Sequence, residues 1–398
     1  MSLTDEAGAL AAELSGLRRA LHREPEIGLD LPRTQAKVLD ALDGLPVEIT
    51  LGRALSSVTA VLRGGRPGAT VLLRGDMDAL PVTERTGLPY ASEISGAMHA
   101  CGHDLHTAML AGAARLLCAH RGELAGNVIF MFQPGEEGFG GARLMIEEGV
   151  LTATGELPAA AYALHVMSAL LPAGVIATRA GPVLAAADVL RVTVRGRGGH
   201  ASQPFRAADP IPAACEMVTA LQMLVTRRFD VFDPVVITVG SFHAGTAANV
   251  IPDEARFLAT VRTFSAAARA TVKDGSVRLI RGIAAAHGLT ADAEYVDGYP
   301  VTVNDETEAD FAGRAATAVF GRKRFAPQKN PMAGAEDFSF VLEQVPGAFL
   351  SVGACPPGLP PATAPFNHSA EAVFDDGVLS EGTALYAELA LRRLAAAG

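Results

Sequence analysis

The chain has 398 residues, of which 49% are hydrophobic and 19% are charged. A chain of this length and composition can bury a large core in two or three domains, which excludes a globally disordered protein. Its 33 Lys and Arg against 43 Asp and Glu give a net charge of −10, which argues against a nucleic-acid-binding protein.

Neither a membrane anchor nor a secretion signal is expected. No run reaches the roughly 18 apolar residues that a transmembrane helix requires, and the N-terminal stretch lacks the basic and then apolar segments of a signal peptide. The cysteines Cys101, Cys118, Cys215 and Cys355 are far apart and form no CxxC pair. A disulfide framework is therefore not expected, and we predict a cytoplasmic protein.

The first 180 residues alternate helix and strand signals. Apolar residues at helical spacing predict amphipathic helices, which lie at 3–21, 33–42 and 103–120. Short apolar runs bounded by Gly, Pro or charge predict buried strands at 57–62, 70–73, 128–132 and 160–164. This alternation is typical of a doubly wound α/β domain with a mostly parallel central sheet.

A different order of elements begins near residue 186. The patterns predict, in order, a strand at 189–194, a helix at 209–225, strands at 235–239 and 255–263, a helix at 267–287 and a strand at 291–296. The order β-α-β-β-α-β is that of a ferredoxin-like α+β domain.

The last hundred residues return to the pattern of the first domain. They predict a helix at 306–320, a strand at 348–352 and a final helix at 378–394. We therefore predict a discontinuous α/β domain at 1–185 and 298–398, interrupted by an inserted domain at 186–297.

Polar residues with metal-binding chemistry lie where a predicted strand ends or a predicted helix begins. They are Asp76, Asp78, Glu136, Glu137, His165, Cys101 and His103. Ligands of open α/β sheets bind outside the carboxyl ends of the strands, so these loops should meet in one crevice. Carboxylates, imidazoles and a thiolate together are a set of ligands for divalent metals.

Taken one at a time, these residues have ordinary explanations. Glu136 and Glu137 could be a solvated pair, Asp76 and Asp78 turn or capping residues, and His165 a hydrogen-bonded core residue. A second reading of the set is a thiol hydrolase, with Cys101 as nucleophile and His99 or His103 as base. The nearby carboxylates argue against that reading because they raise the pKa of a thiol. A third is a binding protein without catalysis.

Short sequence motifs along nearly the whole chain favour one of these interpretations. These sequence blocks are LHREPE at 21–26, RGDMDALP at 74–81, MHACGHD at 98–104, QPGEEG at 133–138, GGHAS at 198–202, GTAANVIP at 245–252, GAEDF at 334–338 and NHS at 367–369. With these blocks the chain resembles the M20 family of metallopeptidases and amidohydrolases. The resemblance is to the branch of N-acyl-amino-acid amidohydrolases, hippurate hydrolases and auxin-conjugate hydrolases.

The resemblance implies a fold and a metal site. The fold would be a zinc-exopeptidase-like α/β domain with an inserted lid that dimerises. Two divalent metal ions would be held by five ligands, which are Cys101, His103, Glu137, His165 and His368, with Cys101 bridging the two ions. Glu136 would be the general base for a water that the metals activate, and Asp78 would orient a ligand or its neighbours.

Two departures from the wider family bear on the metal. Asp76 stands where much of that family has a histidine ligand, and Cys101 replaces the usual bridging aspartate; both are typical of the amidohydrolase branch. A thiolate favours Zn²⁺, Co²⁺ or Ni²⁺, whereas imidazoles and a carboxylate also accept Mn²⁺. From the branch, Mn²⁺ is the first expectation and Zn²⁺ the second.

The resemblance also implies a reaction and a partner subunit. The substrates would be N-acyl amino acids, cleaved to a carboxylic acid and a free amino acid; a dipeptidase, a carboxypeptidase and a deacetylase of the same superfamily are the alternatives. His200 would reach the partner's site in a homodimer. Asn249 and Arg262 are candidates to hold the substrate carboxylate, although an arginine on a strand, such as Arg262, is more commonly a surface residue. For His106, Glu336 and Asp337, capping or packing is at least as good an explanation as catalysis.

Overall fold

The computed structural model describes residues 2–397. In this part of the chain the α-helices are α1 Leu3–Ala9, α2 Ala11–Arg23, α3 Pro32–Leu42, α4 His103–Ala119, α5 Gly141–Glu147, α6 Pro210–Arg228, α7 Ala266–Ala286, α8 Glu306–Phe320, α9 Ser339–Leu342 and α10 Leu379–Ala397. None of these helices is both long and apolar enough to span a bilayer.

The strands of the same residues follow in chain order. They are β1 Glu48–Leu51, β2 Val58–Arg63, β3 Arg66–Asp76, β4 Ala125–Gln133, β5 Ala160–Pro172, β6 Ile176–Thr178, β7 Gly181–Leu184, β8 Ala186–Arg195, β9 Gly199–His200, β10 Val235–Ala244, β11 Val250–Ile251, β12 Glu254–Thr263, β13 Thr290–Tyr299, β14 Thr302–Asn304, β15 Phe325–Pro327 and β16 Gly347–Cys355.

The chain folds into two compact units. The first contains residues 2–183, Val303–Asn330 and 337–397, and the second contains Leu184–Thr302 with Pro331–Glu336. The first unit is thus built from separate stretches of the chain, with the second unit inserted between them.

The first unit is built around an eight-stranded sheet with the strand order β1-β2-β4-β3-β5-β16-β6-β15. The four central strands β4, β3, β5 and β16 run parallel to one another. Strand β2 is antiparallel to β4, and β6 is antiparallel to β16. The predicted mostly parallel α/β sheet is confirmed, and β16 is buried along its whole length, as expected of a central parallel strand.

Helix α4 carries the candidate ligand His103 at its start, and it is buried along most of its length. Its first residue, His103, follows Gly102, which has a positive φ of 83°. A Cβ at Gly102 would lie 2.4 Å from Cγ2 of Val166. Glycine is therefore required at this turn both for its backbone angle and for the close approach of Val166.

The second unit has a four-stranded antiparallel sheet in the order β10-β12-β8-β13. Helices α6 and α7 connect the strands in the predicted β-α-β-β-α-β order. Asp209 caps α6 by accepting from the backbone N–H of Ile211 at 3.0 Å, and Ser265 caps α7 by accepting from that of Ala268 at 3.0 Å.

The structure differs from the sequence-based elements at the N-terminus and at the sheet edges. The helix predicted at 3–21 is two helices, because the N–H of Leu10 bonds to the carbonyl of Ala7 and ends α1. The apolar spacing continues across this break, so the pattern could not show it. The three-residue strands β6 and β15 are too short to produce an alternating pattern.

Candidate active site

The candidate metal-binding residues meet because three neighbouring strands are parallel. Asp76 is the last residue of β3, Glu136 follows the end of β4, and His165 lies within β5. The carboxyl ends of parallel strands lie at the same edge of the sheet, and the turn that carries Cys101 and His103 into α4 reaches the same edge. Residues far apart in the sequence thereby become neighbours.

Cys101 lies at the centre of the cluster. Its Sγ is 3.4 Å from Nε2 of His165 and 3.2 Å from Nε2 of His368. Nε2 of His368 is also 3.2 Å from Oε1 of Glu137, which in turn lies 4.0 Å from Nε2 of His103. The structure therefore brings together all five residues that the resemblance implied as ligands.

The five side chains form two overlapping groups of three. One is Cys101, His103 and His165, the other is Cys101, Glu137 and His368, and in each group the ligand atoms lie within 4.8 Å of one another. Because Cys101 belongs to both groups, the arrangement matches a pair of metal positions that share one thiolate.

Buried polar atoms at the cluster fit divalent metal ions. Both ring nitrogens of His103 and Oε1 of Glu137 are buried and make no hydrogen bond within residues 2–397, although Oε1 has an ion-pair contact with Nε2 of His368. Buried polar atoms in proteins are nearly always paired, so these three require partners of another kind. Imidazole, thiolate and carboxylate ligands suit Zn²⁺, Co²⁺, Ni²⁺ and Mn²⁺.

The backbone sets the tautomer of His165. Its Nδ1 is 2.9 Å from the carbonyl oxygen of Val166, which can only accept, so Nδ1 carries the proton. The lone pair of Nε2 then faces Cys101, as a metal ligand requires.

Asn367 connects its own loop with strand β5 and with the turn that carries Cys101. It was not predicted from the sequence as a site residue. Its Nδ2 donates to the carbonyls of Val166 at 2.9 Å and Cys101 at 3.2 Å, and its Oδ1 accepts from the N–H of Ser168 at 2.9 Å. The next residue, His368, has a φ of 73°, a strained value for a residue other than glycine. The available sequence signal was the position of Asn367 in the NHS block.

Asp78 holds the two glutamates through their backbone. Its Oδ1 accepts from the N–H of Glu136 at 2.9 Å, and its Oδ2 accepts from the N–H of Glu137 at 3.0 Å. Oδ1 also lies 3.5 Å from Nδ1 of His103. One buried carboxylate thus fixes the loop that carries Glu136 and Glu137 relative to the start of α4.

Glu136 is buried beside two of the ligand residues. It is 5% exposed, and a carboxylate oxygen lies within 4.8 Å of ligand atoms of His103 and Glu137. The preceding Gly135 has a φ of 73°, and a Cβ there would lie 2.4 Å from Cδ2 of Leu29. The loop can therefore turn Glu136 inward only with glycine at this position.

The pKa values of the clustered side chains follow from burial and from the groups beside them. Contacts with Cys101 and then Glu137 raise the pKa of His368 to about 10. Burial by itself would lower the pKa of His103, but the Asp76 carboxylate and Cys101 reverse this and hold it well above the ordinary value. For Glu137, burial acts to raise the pKa, but the contact with His368 and the nearby His103 lower it below the ordinary value.

Asp76 contacts buried side chains that the sequence did not connect with it. Its Oδ2 accepts from NH1 of Arg74 at 2.6 Å, and its Oδ1 accepts from Nδ1 of His106 at 2.5 Å. Arg74 also donates to Asp337 at 3.1 Å. Burial raises the pKa of Asp337 to about 6 against the opposing effect of Arg74.

The remaining predicted residues lie in the second unit. His200 is exposed on β9, and its Nδ1 accepts from the N–H of Ser202 at 3.2 Å. Asn249 is exposed before β11, and its carbonyl accepts from the N–H of Ala201 at 3.1 Å. Arg262 is half-buried on β12, where burial lowers its pKa. Their roles stay predictions.

Comparison with known proteins agrees with this geometry. The family model described as peptidase family M20/M25/M40 matches residues 72–392. Thermostable carboxypeptidase 1 of Saccharolobus solfataricus is 36% identical over 386 residues, covering 94% of each chain. N-acetylcysteine deacetylase of Bacillus subtilis is 36% identical over 384 residues, covering 96% of this chain and 97% of its own.

A solved structure also matches. The YXEP protein of Bacillus subtilis, described as a dinuclear metal binding peptidase of the M20 family, superposes with a TM-score of 0.83 at 33% identity. The match covers 98% of this chain and 99% of that one. The chain therefore belongs to peptidase family M20/M25/M40 and is a metal-dependent amidohydrolase with a site for two divalent ions.

Proposed function

We propose that this enzyme hydrolyses N-acyl amino acids to a carboxylic acid and a free amino acid. The observation that carries the proposal is the position of Glu136, a buried carboxylate beside two groups of metal ligands that share Cys101. The similarity to N-acetylcysteine deacetylase over nearly the whole chain supports an acyl amino acid as the substrate class.

The proposed metal ligands are the five clustered side chains. His103 and His165 would hold one ion, Glu137 and His368 the other, and Cys101 both. Two divalent ions held there would polarise the amide carbonyl and lower the pKa of the attacking water. Mn²⁺ is the first proposal for both positions and Zn²⁺ the second, since the imidazoles and the carboxylate accept either ion.

Glu136 would transfer the proton. Its carboxylate takes a proton from the attacking water and delivers it to the nitrogen of the leaving amine, as a general base and then a general acid. The hydrogen bond from its backbone N–H to Asp78 keeps it in place during both transfers. Burial of Glu136 keeps bulk water from competing for this proton.

The second unit would supply substrate contacts and the dimer. We propose that Asn249 and Arg262 hold the carboxylate of the amino acid and that His200 donates to the oxyanion in the site of a partner subunit. Loss of a single oxyanion donor typically costs about 100- to 1,000-fold in rate. A cytoplasmic location also stays a prediction.

Glu136→Gln tests the proposal, with Glu147→Gln as a matched exposed control. The side-chain amide of this variant cannot accept the proton, so hydrolysis should fall by at least about 100-fold while the metal content stays at two ions per chain. The assay uses acetyl, benzoyl and indoleacetyl amino acids side by side. Wild-type turnover by Glu136→Gln would refute the general base, and no turnover of any of these substrates by wild-type protein would refute the substrate class.

A carboxypeptidase is the second candidate, because the match to thermostable carboxypeptidase 1 covers 94% of the chain at the same 36% identity. Adding unblocked dipeptides and longer peptides to the same assay separates the two. A larger kcat/KM for peptides than for every N-acyl amino acid would favour the carboxypeptidase.

A thiol hydrolase is a third candidate of a different class, because Sγ of Cys101 lies within 3.4 Å of two histidines. It predicts full activity in the presence of a chelator and covalent trapping by iodoacetamide. The metal-dependent mechanism predicts loss of activity with the chelator and recovery when Mn²⁺ or Zn²⁺ is added back.

A further inference from the structure

Asp76 and His106 form a buried pair beside the proposed metal ligands. Both side chains are fully buried, and Nδ1 of His106 lies 2.5 Å from Oδ1 of Asp76. The second oxygen of Asp76 accepts from NH1 of Arg74 at 2.6 Å. Each carboxylate oxygen therefore faces a hydrogen-bond donor.

The backbone defines the tautomer of His106. Its Nε2 lies 2.8 Å from the backbone nitrogen of Val166, whose N–H can only donate. Nε2 must then accept with its lone pair, so Nδ1 carries the single proton and donates it to Asp76. His106 is neutral in this arrangement, and both of its nitrogens are in use.

Val166 connects this pair to the ligand His165. The N–H that His106 accepts belongs to the peptide bond that follows His165, and the carbonyl of Val166 accepts from Nδ1 of His165 at 2.9 Å. The rings of His106 and His165 are also in contact, with centroids 4.8 Å apart. Moving His106 would thus disturb both the backbone and the ring that aim Nε2 of His165 at Cys101.

Arg74 anchors the pair to the neighbouring strands. Its Nε donates to Oε1 of Gln133 at 2.8 Å, and its carbonyl accepts from the hydroxyl of Tyr386 at 2.5 Å. The same hydroxyl accepts from the N–H of Leu164 at 2.9 Å. Strands β3, β4 and β5 are therefore joined beside Asp76, which makes its carboxylate a rigid acceptor.

We propose that Asp76 and His106 are positioning residues that fix His165 as a metal ligand and are not ligands themselves. The inference rests on the proposed role of His165 in metal binding. Ligand atoms of Asp76 and His106 lie within 4.8 Å of a ligand atom of His103, so these three residues could instead form a separate metal site. Against that alternative, a histidine whose two nitrogens are hydrogen-bonded has no lone pair for a metal.

Metal titration of variants tests the proposal without a substrate. His106→Ala removes the acceptor of the Val166 N–H, whereas His106→Gln can restore it with its side-chain oxygen. His120→Ala is the matched control, because His120 is a part-exposed histidine at the other end of α4. Metal-stripped proteins are titrated with Co²⁺ in a calorimeter and by visible absorption.

In His106→Ala, one of the two Co²⁺ sites should weaken by about 10- to 100-fold, as expected for loss of a group that orients a ligand. The other site should stay within a few-fold of wild type, and His106→Gln should recover part of the loss. Wild-type affinity at both sites in His106→Ala, or an equal loss at both in a protein that melts like wild type, would overturn the proposal.

Imidazole nitrogen NMR of the wild-type protein gives a measurement that does not depend on a variant folding. We expect His106 with a protonated Nδ1 and an unprotonated Nε2, both before and after Zn²⁺ is added. A proton on Nε2, or a change at His106 that shows direct Zn²⁺ coordination, would overturn the assignment. If Zn²⁺ binds as expected but no N-acyl amino acid is cleaved, the proposed substrate class fails while the positioning role stands.

Discussion

The Sγ of Cys101 lies 3.2 Å from Nε2 of His368, although 267 positions of the chain separate the two residues. The contact exists because His368 donates its backbone N–H to the carbonyl of Ala100 at 2.8 Å, one residue before Cys101. A loop from the last part of the chain thereby completes a site that the first part builds. Metal binding should therefore depend on the hydrogen bond that holds this loop against Ala100.

Metal affinity should fall as the pH is lowered. Contacts with Cys101 and Glu137 raise the pKa of His368 to about 10, so its ring is protonated at pH 7 in the metal-free protein. A metal ligand must be neutral, so binding has to release this proton and is opposed by lower pH. Calorimetry at pH 7 in two buffers of different ionisation enthalpy should show proton release. Equal binding enthalpies in both buffers would contradict it.

Asp78→Asn should slow turnover without unfolding the protein. The amide can accept from only one of the N–H groups of Glu136 and Glu137, and its NH₂ faces the other. We expect kcat/KM to fall by about 10- to 100-fold, with a smaller change in metal content. Asp310→Asn, on the exposed surface of α8, is the control. Wild-type kcat/KM in Asp78→Asn would show that this carboxylate does not position the loop.

Two adjacent arginines should differ sharply in their effect on stability. Arg18 is fully buried and forms ion pairs with Asp104 at 2.9 Å and with Asp376 at 3.0 Å. The side chain of Arg19 is 47% exposed and forms an ion pair with Asp376 at 2.8 Å. Arg18→Met leaves the buried Asp104 without this partner and should lower the free energy of unfolding by about 3–5 kcal/mol.

Arg19→Met removes an exposed pair and should cost about 0–1 kcal/mol. Urea denaturation of both variants gives the comparison. Similar losses in the two variants would mean that burial of Arg18 does not determine its contribution.

Gly102→Ala should disturb the metal site beyond the backbone strain it causes. Gly102 has a φ of 83°, and its new Cβ would lie 2.4 Å from Cγ2 of Val166. Gly96 has a similar φ of 78° with nothing within 4 Å of a Cβ, so Gly96→Ala reports the strain alone. That strain is about 1–3 kcal/mol. We expect Gly102→Ala to lose more stability and also bound metal. Equal effects would show that the approach of Val166 is unimportant.

Mixed dimers can test the proposed role of His200. If His200 acts in the partner's site, a hybrid of Glu136→Gln and His200→Ala subunits contains one complete site. Equal mixing after reversible dissociation should then restore about a quarter of wild-type activity, since half of the dimers are hybrids. Hybrids with no more activity than the parent variants would place His200 in its own subunit's site, and a monomer in solution would exclude the role altogether.

Much of the fold could be predicted because its elements have strong local patterns. Helix α8 was predicted with the observed bounds, since Asp305 caps it and Gly321 ends it. The two short strands β6 and β15 at the sheet edge could not be predicted. Three residues carry no period, and β15 ends in Pro327, which usually argues against a strand.

The cluster of metal-binding side chains could be predicted only as a set. Each residue alone had an ordinary explanation, and it was their ordered blocks that indicated one site. The hydrogen bonds between these side chains depend on tertiary contacts. Neither the hydrogen bond of Asp76 with His106 nor the hydrogen bonds of Asn367 leave a periodic signal in the sequence, because each joins elements that are far apart in the chain.

The most direct test of metal-dependent hydrolysis by this protein is to follow cleavage of N-acyl amino acids while metal-stripped protein is titrated with Mn²⁺. We predict no turnover without metal and a rise that saturates at two ions per chain. Full turnover by the metal-stripped protein, or saturation with no ion bound at the group formed by Cys101, Glu137 and His368, would contradict it.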